Sequence, residues 1–368
     1  MASPPASLAT IAKHVDSRLV ALIGAEGARW AELDSDLAGP FAEIKRMVQA
    51  GGKRLRPAFC HWGFVGAGGS PDDQRVVDAG AAFELMHAFA LFHDDVMDDA
   101  ATRRGAPTTH AVYSNEHRSA GWTGESRRFG EGAAILIGDL AFVLADELLI
   151  GAPDAVWRMW NELRTELNVG QFLDILGSVR RERRLEKAER IARYKSGKYT
   201  IERPLHLGAL LAAPDRDDTL LPKLSRFGLP LGDAFQMRDD VIGVFGDTAQ
   251  TGKPVGGDLI EGKPTPLLAR AVALASPPQH AVLDRVGAAG LDEAGVVAIQ
   301  QVIVDTGALA DLEATIDRLA DQAIASLAGI GLDGAAAAEL EALAHYVVGR
   351  NVCPGVAEWV PSRVRCVT

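Results

Sequence analysis

Two stretches of this 368-residue chain end apolar runs in paired carboxylates. The first, His87-Ala88-Phe89-Ala90-Leu91-Phe92-His93-Asp94-Asp95-Val96-Met97-Asp98-Asp99, closes on four acids. On a helix Asp94 and Asp98 lie one turn apart on one face, and carboxylates that converge in this way are tolerable only beside a cation. The second, Phe235-Gln236-Met237-Arg238-Asp239-Asp240-Val241-Ile242-Gly243-Val244-Phe245-Gly246-Asp247, repeats the idea. Two such helices facing each other could hold several magnesium ions. Magnesium binds through one or two carboxylates plus phosphate oxygens of its substrate, so the implied ligand is a diphosphate or something like it. An isolated Asp-Asp-x-x-Asp is more often solvated surface. Here Phe89, Leu91, Phe92, Val96 and Met97 flank the first cluster, and Phe235, Val241, Ile242, Val244 and Phe245 the second. Buried carboxylates need compensating partners.

Four other stretches carry groups suited to anions. Gly51-Gly52-Lys53-Arg54-Leu55-Arg56-Pro57 is a flexible basic turn whose glycines admit an anion close to the backbone. Arg103 and Arg104 follow the first acids directly, either as neutralising partners or as bidentate phosphate clamps. Tyr194-Lys195-Ser196-Gly197-Lys198-Tyr199-Thr200 is expected to interrupt a helix with a lysine and hydroxyls, although a stretch like it, met singly, is more often plain surface. Thr251 to Leu259 is an irregular Gly/Lys/Pro loop that keeps Lys253 close in sequence to the second acids. Gln171 and Asp174, three residues apart, share a helix face.

The elements that must position these groups are helices. Residues from about 7 to 48 read as two helices broken at Gly39-Pro40. A long helix from about 72 to 98 delivers the first acids, apolar helices cover about 133–150 and 154–177, and the Ala/Leu-rich remainder to about 350 has helical periodicity. Residues 113–131, polar and Gly/Arg-rich, are expected to form an exposed insertion. Without βαβ alternation or a sustained strand pattern the chain is expected to be all-α, a bundle of ten or more helices in a single domain 1–368, with the tail 351–368 unassigned. A formal charge of −11 argues against a general nucleic-acid binder or a partner for anionic lipid surfaces. Cys60, Cys353 and Cys366 are too few and too scattered for a disulfide framework or a cysteine zinc site, which fits a reducing cytoplasm. No apolar stretch reaches the roughly 20 residues of a membrane span, and no stable membrane insertion is expected.

In order along the chain, GGKRLRP, the His87 to Asp99 block, RRGAPT, GQFLD, KSG, FQMRDD and TGKPVGGD resemble the motifs of the trans-isoprenyl diphosphate synthases, the polyprenyl synthetase family of head-to-tail prenyltransferases. The resemblance covers about residues 45–270. It implies the isoprenoid synthase fold, helices around a central cavity, and a homodimer. Asp94 and Asp98 would bind Mg2+ bridging to the diphosphate of an allylic substrate, and Asp239 with its neighbour Asp240 a further ion. Arg103, Lys195 and Lys253 would grip the allylic diphosphate. Lys53, Arg56, His87 and Arg104 would form the pocket for isopentenyl diphosphate. Ser196 and Gln236, with backbone carbonyls near Lys195, would face the developing allylic cation. No side chain in this set is an obvious base, so the departing diphosphate would accept the proton.

Two features depart from the family pattern, one of them the tail after Arg350, with Cys353-Pro354 and Arg363 to Arg365, which is unlike a short basic family terminus. Where the second motif usually has a third aspartate, this chain has Gly243. Activity is expected to survive because the first aspartate of that motif is the main ligand in the family. For product length, the growing chain should run along the helix that ends in Asp94, where Phe89, five residues back, lies about 7.5 Å deeper at about 1.5 Å per residue. With no insertion between Asp95 and Asp98, an aromatic floor there implies geranylgeranyl diphosphate, with farnesyl diphosphate second; the bland alternative is that Phe89 is ordinary core. A class I terpene cyclase or a diphosphate hydrolase would share metal-assisted ionisation but needs no second diphosphate pocket. A non-catalytic partner subunit tends to lose the aspartate motifs, and a helical scaffold leaves both charge sets unexplained.

Overall fold

The structure, a computed structural model, describes residues 3–246 and 256–349. The expectations placed on Asp247, Lys253, Cys353, Cys366 and the tail lie outside the described residues. The chain is all-α as expected, and its helices exceed ten. It begins with α1 (Ala6–Ala31) and α2 (Ala38–Gln49). The break between them is not at Gly39-Pro40. It falls at Asp34, whose carboxylate accepts from the Asp36 amide and opens a short 3-10 turn. Pro40 sits in the first turn of α2, where its missing N–H removes no helical bond.

Next come α3 (Leu55–Gly66) and α4 (Gln74–Met97), the latter capped by the Asp73 carboxylate accepting from the Arg75 amide. Helix α4 buries an unbroken run from Ala79 to Met86. A helix apolar on all sides must be enclosed by others, and α3 and α6 pack against it. A hairpin of two two-residue strands follows, Thr102–Arg103 and Ala106–Pro107, turning at Arg104 and Gly105, both at positive φ (52° and 74°). Then come α5 (Thr109–Ala120), α6 (Ser126–Glu147) and α7 (Asp154–Val179). Residues 113–131 are mostly exposed, yet they belong largely to α5 and α6, with Ser114, His117 and Gly130 buried.

Helix α8 (Leu185–Ala192) runs into a π-helix (Arg193–Glu202) and on into α9 (Arg203–Ala212). The remaining helices are α10 (Asp217–Phe245), α11 (Gly257–Glu261), α12 (Pro266–Leu274), α13 (Pro277–Leu283), α14 (Glu293–Asp305), α15 (Ala308–Ser326) and α16 (Gly334–Val348). The chain divides into two compact units, one holding residues 6–157 and 207–215, the other 158–206 and 216 onward. The first is organised on α4. The second is organised on α10, whose Ala234, Met237, Val241 and Val244 share a buried core with Leu267, Ile299, Ile303, Leu312 and Ile316. Each organising helix ends in one of the acid pairs. No single helix among the described residues is long and apolar enough to cross a membrane.

Candidate active site

In the first unit, Asp98 is the C-cap of α4 and its amide bonds the Asp94 carbonyl (2.8 Å), so the helical spacing of the two acids persists to the end of the helix. The two members of the adjacent pair differ. Asp94 is partly exposed, whereas Asp95 is buried. Burial pushes the Asp95 carboxyl above its ordinary range, against the opposing pull of Arg103. Arg103 stands on the first hairpin strand and donates through Nε to Asp95 (2.6 Å) and through Nη2 to Asp94 (3.1 Å). It therefore bridges both acids, and Asp95 fixes its orientation.

His87 lies seven residues before Asp94 on α4, among Arg54, Arg56, Arg103 and Arg104. Burial and these four cations hold its imidazole well below the usual range, so it is neutral at pH 7. Arg104 donates to the Gly51 carbonyl, which ties the hairpin to the basic turn. Lys53 is exposed and Arg56 partly so. Arg54, assigned no role from the sequence, is the anchor of that turn. It is buried at a left-handed φ of 49° and bonds Glu84 (2.5 Å), Asp16 (2.8 Å) and the Val48 carbonyl (2.5 Å). Arg54→Met leaves Glu84 buried without its partner and is expected to lose about 3–5 kcal/mol. Chemical denaturation reads this directly, and an unchanged midpoint would remove the anchoring role. Four guanidinium groups gathered in one place, on a chain of net charge −11, make a local well for an anion.

In the second unit, α7 sets Asp174 against Lys195 at 2.5 Å. The stretch 194–200 does not interrupt the helix as expected; it continues it in π form, with Lys195 and Ser196 both partly exposed. On α10, Gln236 donates Nε2 to Asp240 Oδ1 (2.8 Å), one turn on. Asp240 is buried and its Oδ2 makes no hydrogen bond. Burial pushes its carboxyl well up; the Gln236 bond opposes this, and Asp258, Asp239 and Asp174 add to it. Asp239 is partly exposed, so the order of Asp94 and Asp95 recurs: an accessible acid, then a buried one. A buried carboxylate crowded by three others, with an orphaned oxygen, fits a nearby cation. No group of three acids or histidines among the described residues makes a ready chelate, and magnesium held by one or two carboxylates plus phosphate oxygens requires none.

A Cβ built at Gly243 would meet Asp258 Oδ2 at 2.0 Å. The carboxylate of Asp258, from the first turn of α11, thus occupies the space into which a third aspartate of the second motif would project. Asp258, Asp174, Asp95 and Glu84 were not among the site residues expected from the sequence. Asp174 had a signal, its spacing from Gln171. Glu84 had none, since its partner Arg54 is 30 residues away. Phe89 is buried, with its ring centroid 4.6 Å from that of His93 and 4.6 Å from that of Phe142 on α6.

Residues 41–303 match the family model described as polyprenyl synthetase. The chain belongs to the polyprenyl synthetase family. It is 31% identical over 272 residues to the geranylfarnesyl diphosphate synthase of Aeropyrum pernix, covering 72% of this chain and 79% of that protein. It is 37% identical over 230 residues to the geranylgeranyl diphosphate synthase of Mycobacterium tuberculosis, covering 61% of this chain and 59% of that one. In structure it is similar to the geranylgeranyl pyrophosphate synthase of Corynebacterium glutamicum, crystallised in complex with isoprenyl diphosphate and magnesium. The TM-score is 0.87 at 36% identity, covering 94% of this chain and 99% of that chain.

Proposed function

We propose that this polyprenyl synthetase condenses isopentenyl diphosphate head to tail with allylic diphosphates, uses Mg2+, and stops at geranylgeranyl diphosphate. One cluster in the first unit carries the reading: Asp94 and Asp98 with Arg103, joined through Arg103 to the group of Arg54, Arg56 and Arg104 around a neutral His87. The acids suit a metal-bridged diphosphate, and the arginine group suits a second one. A cyclase or a hydrolase needs only the first.

Mg2+ would be held by Asp94 and Asp98, with a further ion at Asp239 supported by Asp240, and would neutralise the charge that builds on the departing diphosphate. The roles of the protein's own groups follow from their contacts. Asp95 holds Arg103 toward the leaving group, and Asp174 holds Lys195, assigned with Lys253 to the allylic diphosphate. Lys53, Arg56, Arg104 and His87 are assigned to isopentenyl diphosphate, with His87 contributing hydrogen bonding rather than charge. Because Gln236 gives its amide hydrogen to Asp240, its carbonyl oxygen remains for the allylic cation, beside Ser196 in the same role. The proton lost at the end goes to the released diphosphate.

The test is incubation of the pure protein with isopentenyl diphosphate and dimethylallyl, geranyl or farnesyl diphosphate, with and without Mg2+. A magnesium-dependent ladder ending at twenty carbons is expected. No condensation with any primer by folded protein would overturn the reading.

Phe89 and Phe142 are proposed as the floor that sets this length. Phe89→Ala is expected to shift the main product beyond twenty carbons, and Phe142→Ala to do so to a smaller extent, as read by chromatography of the dephosphorylated products. An unchanged length in Phe89→Ala puts the floor elsewhere. The homodimer is also a proposal. Phe129, Leu136 and Val143 on α6, then Ile150 just past its end, are exposed at seven-residue intervals, a seam suited to a second copy. Leu136→Asp is expected to halve the mass measured by light scattering; a monomeric wild type would discard the seam. Cytoplasmic residence is proposed from the free, buried Cys60. The single-domain reading is likewise proposed, supported by a family match that runs through both units.

A further inference from the structure

A π-helix of ten residues, Arg193–Glu202, is unusual, because π turns occur mostly as single bulges and often at functional sites. It needs ties from outside. One is backbone contact: a Cβ on Gly232 of α10 would meet the Gly197 carbonyl oxygen at 2.7 Å, so only glycine permits this approach. The other is a buried polar chain at the end of the π-helix. Lys198 bonds Glu166 of α7, and Arg203 donates to both Glu166 oxygens (2.6 Å each). Arg203 Nη1 lies 3.3 Å from His206 Nδ1, His206 Nε2 lies 3.1 Å from Ser225 Oγ, and Ser225 Oγ lies 2.6 Å from Glu202 Oε1.

Arg203 dictates the direction of every proton in this chain. A guanidinium only donates, so His206 Nδ1 must accept. The imidazole proton then sits on Nε2, shared between the Leu221 carbonyl and Ser225 Oγ, whose own hydrogen goes to Glu202. Burial, with Arg203 and Lys198 nearby, brings His206 down to about 3, so the ring is neutral. Two carboxylates and two cations balance within the network. Glu202 is the last residue of the π-helix, and its Oε2 makes no hydrogen bond, with Lys198 Nζ at 3.8 Å. Ser225, on α10, therefore ties the last residue of the π-helix to a neighbouring helix.

We infer that His206, Ser225 and Glu202 are positioning residues that set the π-helix carrying Lys195 and Ser196, and through it the ionisation of the allylic diphosphate. This rests on the assignment of Lys195 made above. Ser225→Ala removes the hydroxyl that joins His206 Nε2 to Glu202, leaving the ring N–H only the Leu221 carbonyl and stranding a Glu202 oxygen, while touching no proposed ligand; Ser225→Thr keeps the hydroxyl. The expected result is a fall in kcat of about tenfold to a hundredfold for Ser225→Ala, the scale of a displaced reacting geometry. KM for isopentenyl diphosphate stays within twofold, and Ser225→Thr recovers most of the loss. Ile316→Val, a core change elsewhere in the unit, controls for stability and should keep kcat at a comparable loss of Tm. A folded Ser225→Ala with wild-type kcat overturns the inference, as does a loss that Thr does not restore and that raises KM for isopentenyl diphosphate equally. If Ser225→Ala does not fold, His206→Gln is read by the same criteria. If the wild type makes no prenyl product, the functional reading fails separately. The positioning role is then read by calorimetric binding of inorganic pyrophosphate with Mg2+, which Ser225→Ala must weaken and Ser225→Thr restore.

Discussion

Arg103→Leu is expected to lower kcat by about 10²–10³-fold, the scale of losing one fixed donor from a developing anion. It is also expected to destabilise the fold by about 3–5 kcal/mol, because it removes one partner of a buried pair. Arg103 bonds both Asp94 and Asp95, and Asp95 is 2% exposed. Burial already raises the Asp95 carboxyl against the pull of Arg103. Without that pull it rises further. A carboxyl whose folded pKa exceeds its unfolded value holds more protons in the native state, so stability falls as pH rises between the two values. The deficit of Arg103→Leu relative to wild type should therefore be larger near pH 7 than near pH 5, as read by urea melts at both. Arg103→Lys keeps the charge and loses the planar fork, and should recover stability better than kcat. A deficit equal at both pH values, with kcat within threefold of wild type, would discard this role for the Arg103–Asp95 pair.

Much of the fold was legible because helical periodicity and the missing strand pattern are properties of neighbouring residues. The acid pairs were legible for the same reason. A one-turn spacing is visible in sequence, and Asp94 and Asp98 keep it to the last turn of α4. What the sequence hid were partners distant along the chain. Arg54 looks like one more cation of a basic turn, and only its contacts with Glu84 and Asp16 show it to be an anchor. The roles within Asp94-Asp95 and Asp239-Asp240 were equally hidden, since adjacent residues on a helix point to different surroundings and composition cannot say which is buried. The stretch 194–200 misled for a different reason. Its Ser-Gly-Lys run reads as a break, and the polar groups that bond its far end come from Glu166, Arg203 and Ser225, each unremarkable in sequence.

Restoring the third aspartate of the second motif, as Gly243→Asp, is expected to lower activity rather than improve it, by about tenfold or more given that like charges set side by side cost several kcal/mol. The space is already filled: the first side-chain carbon at 243 would stand 2.0 Å from Asp258 Oδ2. A new carboxylate would either displace Asp258 or join Asp174, Asp239, Asp240 and Asp258, a group in which burial pushes the Asp240 carboxyl well up and the neighbouring acids add to that push. Gly243→Ala separates the two causes. It asks only the end of the Asp258 side chain to move, so its loss should be a few-fold, while Gly243→Asp should lose more and should also shift the Mg2+ dependence of the rate. The double variant Gly243→Asp with Asp258→Gly returns the acid count and the space, and should recover part of the loss if one carboxylate at this place is what the reaction needs. A Gly243→Asp enzyme as active as wild type, with tighter Mg2+ dependence, would show that Asp258 does not stand in for the missing acid.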